Sequence, residues 1–216
     1  IYLNALPEGQ FLGLPKGSKI SFRFYGDSVD LKQDISAGMA GDPATAPQFV
    51  AERDGVIEVA GRRFDIAVLP DAPPQVRPGV APDRRADGRL VQEFSASDDN
   101  GVTGGRAVIT LDLGAVDRRF GLKSAPEPRE DITLELPLPA SGNRKEVRGR
   151  LTEDLSRHPW ANLPVTVSLS VSDGIEQEGR SAPMAMVLPG RRFFDPLAAA
   201  LIELRRDLLW LRGNAP

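Results

Sequence analysis

Cysteine is missing from this chain, which excludes disulfides, thiolate metal sites and cysteine nucleophiles together. That absence suits a reducing and an oxidising compartment equally. Histidine occurs once, at His158, so any Ser-His-Asp triad or histidine-containing metal site has to use it. Aromatic residues are scarce at 6%, and Trp160 is therefore expected as a core plug rather than as a platform for a sugar. No excess of positive charge exists: 27 Lys and Arg face 30 Asp and Glu, for a net charge of -3. Without a basic field, nucleic acid and anionic membrane surfaces are disfavoured partners. No stretch approaches the roughly eighteen consecutive apolar residues that span a bilayer. The first residues, Ile1 to Pro7, have neither an initiator Met nor a basic signal-peptide start, so the sequence reads as a fragment of something longer.

What is present points to β-sandwiches. With 216 residues, 41% of them hydrophobic, the chain has enough apolar material for two modest cores. In residues 1–70, short extended segments alternate with turn signals: Lys19 to Tyr25, Gln48 to Glu52, Gly55 to Val59 and Arg63 to Leu69. Ile20, Phe22 and Phe24 share one face of the first, the period of two that a half-exposed strand requires. Gly17-Ser18, Gly26-Asp27, Asp54-Gly55 and Gly61 supply corners, and the Ala/Gly/Pro-rich stretch from Ile35 to Pro47 is expected as a mobile loop with little to bury.

From Pro70 to Arg89 prolines are dense, predicting a stiff linker and an entry strand within 71–89, ahead of the second domain. Strands are expected at Leu90 to Ser97, Gly105 to Leu113, Asp131 to Leu136, Lys145 to Leu151, Pro164 to Ser172 and Ala182 to Leu188, which makes 90–192 an Ig-like β-sandwich. Thr152 to Pro159 reads as one or two helical turns with a Thr cap. The architecture expected is mainly β: two tandem Ig-like sandwiches, 1–70 and 90–192, followed by an amphipathic helix in 193–216.

That helix opens with Asp195 as cap and Pro196 at the first position, and runs to about Leu211. Phe194, Leu197, Leu201, Leu204, Leu208 and Leu211 are spaced 3, 4, 3, 4, 3, the seam of a packed or coiled helix. The stripe either lies on the sandwich as ordinary core or pairs with a partner helix. Leu197, Leu201, Leu204, Leu208 and Leu211 are accordingly the candidate interaction residues.

Two turns hold acidic residues. Phe94 to Val102 ends in Asp98-Asp99-Asn100-Gly101, and Leu169 to Gly174 ends in Asp173-Gly174. If the turns meet, Asp98, Asp99, Asn100 and Asp173 offer oxygen ligands for Ca²⁺; the simpler reading, preferred here, is that they make Asx turns. Gly101, Gly104 and Gly105 are not a phosphate loop, because neither Lys-Ser/Thr nor a helix follows. Glu127, Glu130, Glu176 and Glu178 show no recognisable pairing of the kind a glycosidase needs.

Four ordered blocks carry a family resemblance: Val68 to Pro74, Ala96 to Val102, Asp154 to Val165 and Leu188 to Arg206. Together they resemble large alphaproteobacterial membrane proteins grouped as a domain of unknown function. The resemblance implies transmembrane helices upstream, an Ig-like region on the periplasmic face of the inner membrane, and Gln/Gly-rich helical sequence downstream. It implies no activity and no catalytic residues. The expected role is a non-catalytic interaction or scaffold region without a cofactor, binding an envelope protein or itself through the C-terminal helix; the alternative is a module binding cell-wall glycan or calcium.

Overall fold

The computed structural model describes residues 9, 11–25, 30–43, 45–80 and 86–214, and the chain divides into two compact units, Ile1–Ala72 and Pro73–Pro216. The expected corner at Gly26-Asp27 and part of the proline-rich stretch, 81–85, lie outside the described residues.

The first unit holds β1 (Phe11–Pro15), β2 (Lys19–Ser21), β3 (Leu31–Gln33), β4 (Ala40–Asp42), β5 (Ala46–Val50), β6 (Gly55–Val59) and β7 (Arg62–Leu69). One sheet runs β1-β7-β6-β3, with β1 parallel to β7 and the other pairs antiparallel; the second runs β2-β5-β4. Between β6 and β7 the turn residues Ala60 and Gly61 both have positive φ, the backbone that matches a two-residue hairpin to the twist of its strands. The sheets enclose Phe49 and Ala51 from one side and Ile57, Val59, Phe64 and Ile66 from the other. Phe22 fills the rim of this core, its ring 5.9 Å from those of both Phe24 and Phe49.

Two expectations for this unit need correction. Ile35 to Pro47 is not a loop with little to bury: Ile35 is fully buried, and Ala40–Asp42 is a strand paired with β5. Small residues there permit a close backbone approach, since a Cβ at Gly41, whose φ is +79°, would overlap the Ala46 carbonyl. The strand expected from Lys19 to Tyr25 is regular only to Ser21. Pairing nevertheless continues past it, as Phe22 N–H donates to the Pro47 carbonyl (3.0 Å) and Phe24 N–H to that of Thr45 (3.0 Å).

The second unit holds β8 (Gln75–Pro78), β9 (Leu90–Ser97), β10 (Gly104–Leu111), β11 (Ile132–Glu135), β12 (Glu146–Glu153), β13 (Pro164–Ser172), β14 (Glu178–Arg180) and β15 (Met184–Val187). Strands β12-β9-β8 form one sheet; β11-β10-β13 form the other, with β14 and β15 sharing the far edge of β13. Strict alternation fixes which side faces in. Leu90, Gln92, Phe94 and Ala96 of β9 are buried, and so are Val165, Val167, Leu169 and Val171 of β13. One cluster joins the apolar members of both rows to Val147, Leu151, Ala107, Ile109 and Trp160 across the two sheets. Opposite Phe94 stands Gly149, where a Cβ would strike the Phe94 ring, so the missing side chain is what lets that ring lie flat across its neighbour.

Thr152 does not cap a helix. It sits in β12 opposite Val91, and after Glu153 the chain makes tight turns closed by His158 N–H to the Leu155 carbonyl (2.9 Å) and Ala161 N–H to that of His158 (3.0 Å). With Pro159 following so soon, too few residues remain for a helix to nucleate.

The helix, α1 (Pro196–Trp210), begins as the sequence predicts: the Asp195 carboxylate accepts the Ala198 N–H at 2.8 Å and proline occupies the first turn. Among the described residues no helix is long and apolar enough to cross a membrane.

Candidate functional site

At its C-terminal end α1 is tied firmly to the second unit. Trp210 is buried with Val116, Leu122 and Leu163, and Leu111 and Leu211 pack against that cluster. The Trp210 indole N–H donates to the Ser124 carbonyl at 2.8 Å, and the Arg118 guanidinium lies 5.6 Å from the ring centre. A helix leaves its last carbonyls short of intrahelical partners, and three of them are met here by groups outside the helix. Asn214 Nδ2 donates to Asp207 O (2.7 Å), Arg129 Nη2 to Leu209 O (2.8 Å) and the Glu127 N–H to Trp210 O (2.8 Å). Midway along, Arg205 Nη2 holds the Arg157 carbonyl at 2.9 Å.

The leucine seam divides. Leu211 packs into the second unit, whereas Leu197, Leu201, Leu204 and Leu208 remain 70%, 57%, 60% and 42% exposed, with Phe194 ahead of them at 91%. These large apolar side chains stand exposed in one continuous row rather than scattered singly over the surface.

The acidic turn residues are occupied by their own backbones. Asp98 Oδ2 accepts the N–H groups of Asn100 (2.9 Å) and Gly101 (2.5 Å), and Asp173 Oδ1 accepts those of Ile175 (2.9 Å) and Gln177 (2.8 Å). Thr103 joins the second turn to the chain leaving the first, its hydroxyl donating to the Ser172 and Asp173 carbonyls at 3.1 and 2.5 Å. Asp98 Oδ1 and Asp173 Oδ2 are buried without hydrogen-bond partners, while Asp99 and Asn100 are exposed. Among the described residues no three His, Cys, Asp or Glu side chains are grouped so as to hold a metal ion.

His158 and Ser156 stand close in sequence but do not act on each other. The Ser156 hydroxyl donates to Asp154 Oδ1 (2.5 Å), a bond that holds the Asp154 carboxyl below the usual carboxylate range. His158 Nδ1 accepts the Trp160 N–H (3.1 Å), which leaves the proton on Nε2, and the two rings meet edge to face at 5.0 Å. Burial pushes the His158 pKa down, and the nearby Arg129 charge adds to the effect. Trp160 itself is in the core.

A cavity of about 550 Å³ between α1 and the 156–162 segment had little sign in the sequence. Arg157, Arg191, Arg205 and Arg206 line it, and among the described residues Glu203 is the one carboxylate in its walls. The pad that receives Trp210, built from Arg118, Ser124 and Glu127, was equally hidden. Its only signal was a tryptophan ending an amphipathic helix.

The sequence matches the family described as "Domain of unknown function (DUF4175)" over residues 1–216. The chain belongs to that family. Among curated proteins none matches it. Solved structures similar to this DUF4175 chain include a tetra-tandem repeat in the extending region of a large adhesion protein, at 14% identity and a TM-score of 0.35, covering 82% of this chain and 49% of that one. The N-terminal eight Ig domains of Down Syndrome Cell Adhesion Molecule are also similar, at 12% identity and a TM-score of 0.24, covering 85% of this chain and 23% of that one. The chain thus spans about half the length of the first and a quarter of the second.

Proposed function

We propose that this DUF4175 region is a non-catalytic protein-interaction module whose contact surface is the leucine row of α1, and that the occupant of that row is another amphipathic helix, in the first instance that of a second copy. The observation that carries this reading is the exposure of Leu197, Leu201, Leu204 and Leu208 on a helix whose other end is pinned. Their 4, 3, 4 spacing suits a facing helix, because knobs at that period fit the holes of an equivalent surface. A strand or a flat sheet offers no matching period. The family resemblance drawn from the sequence adds the proposal that the module works in the periplasm, in a protein anchored to the inner membrane.

Sedimentation equilibrium on the chain and on Leu201→Ala/Leu204→Ala tests it. A concentration-dependent dimer that the double substitution reduces to monomer is the expected result. A monomer at all concentrations for the unaltered chain removes the second copy as occupant, and a dimer indifferent to the substitutions removes the leucine row as the surface.

A further inference from the structure

The cavity beside α1 has a chemistry that the leucine row neither uses nor explains. The helix contributes Ile202, Arg206 and Leu209 to its walls; the turns before β13 contribute Arg157 and His158. Four guanidinium groups line it beside the Glu203 carboxylate, and Asp154 and Asp207 offset Arg191 and Arg206 from behind, so the site keeps a net positive charge in a chain whose net charge is -3. Their existing bonds leave capacity to spare. Arg205 gives one Nη2 bond to the Arg157 carbonyl, and Arg191 Nη2 is 3.8 Å from Asp154. Arg206 reaches only its sequence neighbour Asp207, at 3.3 Å, and its Nε is buried with no hydrogen-bond partner. A guanidinium presents five donors in a planar fork, and a buried N–H left unmatched is costly unless something arrives to accept it. Ile202, Leu209 and Phe193 provide apolar wall beside these donors.

We infer that this cavity is a binding site for a small oxyanion-bearing ligand, a phosphate monoester or a carboxylate on an apolar body, with Arg206 and Arg157 taking the anionic head and Ile202, Leu209 and Phe193 the body. Bidentate pairing with planar oxygens is what the arginine fork does best. The volume falls in the range of small-molecule sites, about 300–1,000 Å³. This inference stands independently of the helix pairing proposed above, since the residues concerned are not those of the leucine row.

The single histidine makes the test direct, because His158 lines the cavity and its ring C–H protons give one unambiguous pair of NMR signals. The full chain is titrated with phenyl phosphate, with benzoate and with neutral phenol. Saturable shifts with at least one anion and none with phenol are expected, and which anion binds more tightly assigns the head group. Arg206→Gln and, as a second variant should that one fail to fold, Arg157→Gln are expected to weaken binding at least tenfold. Absence of a saturable shift with either anion overturns the site. So does phenol binding as well as the anions, or unchanged affinity in a folded variant.

Discussion

The two sides of α1 are made from the same kinds of residue and meet opposite fates. On one, Trp210 sinks in with Val116, Leu122 and Leu163 while Ile202 and Leu209 are half-buried; on the other, Leu197, Leu201, Leu204 and Leu208 stand in the open. Apolar spacing alone does not separate them. What separates them is directed bonding: the Trp210 indole, Arg129, Glu127 and Asn214 fix the helix end in one rotation about its axis, and that rotation decides which leucines are covered.

The comparison is broken most severely at the anchor. Trp210→Ala removes the buried ring and its bond to Ser124, and is expected to cost about 3–5 kcal/mol in urea unfolding of the second unit. A cost under about 1 kcal/mol would show that the pad does not hold the helix. Asp195→Ala acts at the opposite end, where the carboxylate caps the Ala198 N–H, and is expected to cost about 1 kcal/mol, read by loss of helical circular dichroism at a lower temperature. Leu201→Ala/Leu204→Ala should change the unfolding free energy of the monomer by no more than about 0.5 kcal/mol per site while abolishing association. A loss as large as that of Trp210→Ala would mean the row is packed after all.

Smallest is a pH effect. The His158 pKa is depressed on folding, so the unfolded chain binds more protons once the pH falls below about 6.5. The favourable contribution is complete above that value, declines as the pH falls through the window between the unfolded and folded pKa values, and levels off below the latter. Comparing the chain with His158→Gln between pH 7.5 and pH 5 should show a steeper decline for the unaltered protein. Parallel curves would contradict this.

Strands buried on one face announced themselves best. Leu90 to Ser97, Pro164 to Ser172 and Gly55 to Val59 lie where alternation put them, because a one-residue slip would have exposed every inward side chain. The helix was equally plain from its cap and its period. Short edge strands were not: Leu31–Gln33, Ala40–Asp42 and Glu178–Arg180 are too brief for a period to show, and exist because a longer neighbour offers them bonds. At the site, the leucine row was legible as a stripe but not as an exposed one. The arginine cavity was illegible, since Arg157, Arg191 and Arg206 come together only when α1 is laid beside the turns before β13.

The divided edge of β13 matters beyond this sandwich. Ser181 takes the Leu169 N–H on its hydroxyl (3.0 Å), and Pro183 follows two residues on, so β14 and β15 cannot fuse into one long strand. The three residues of β14 carry Glu178 paired with Arg106 and Arg180. A sheet that ends in two short, interrupted and partly charged pieces gives a neighbouring sheet little to extend. Such a margin disfavours edge-to-edge strand pairing with any second sheet that meets it.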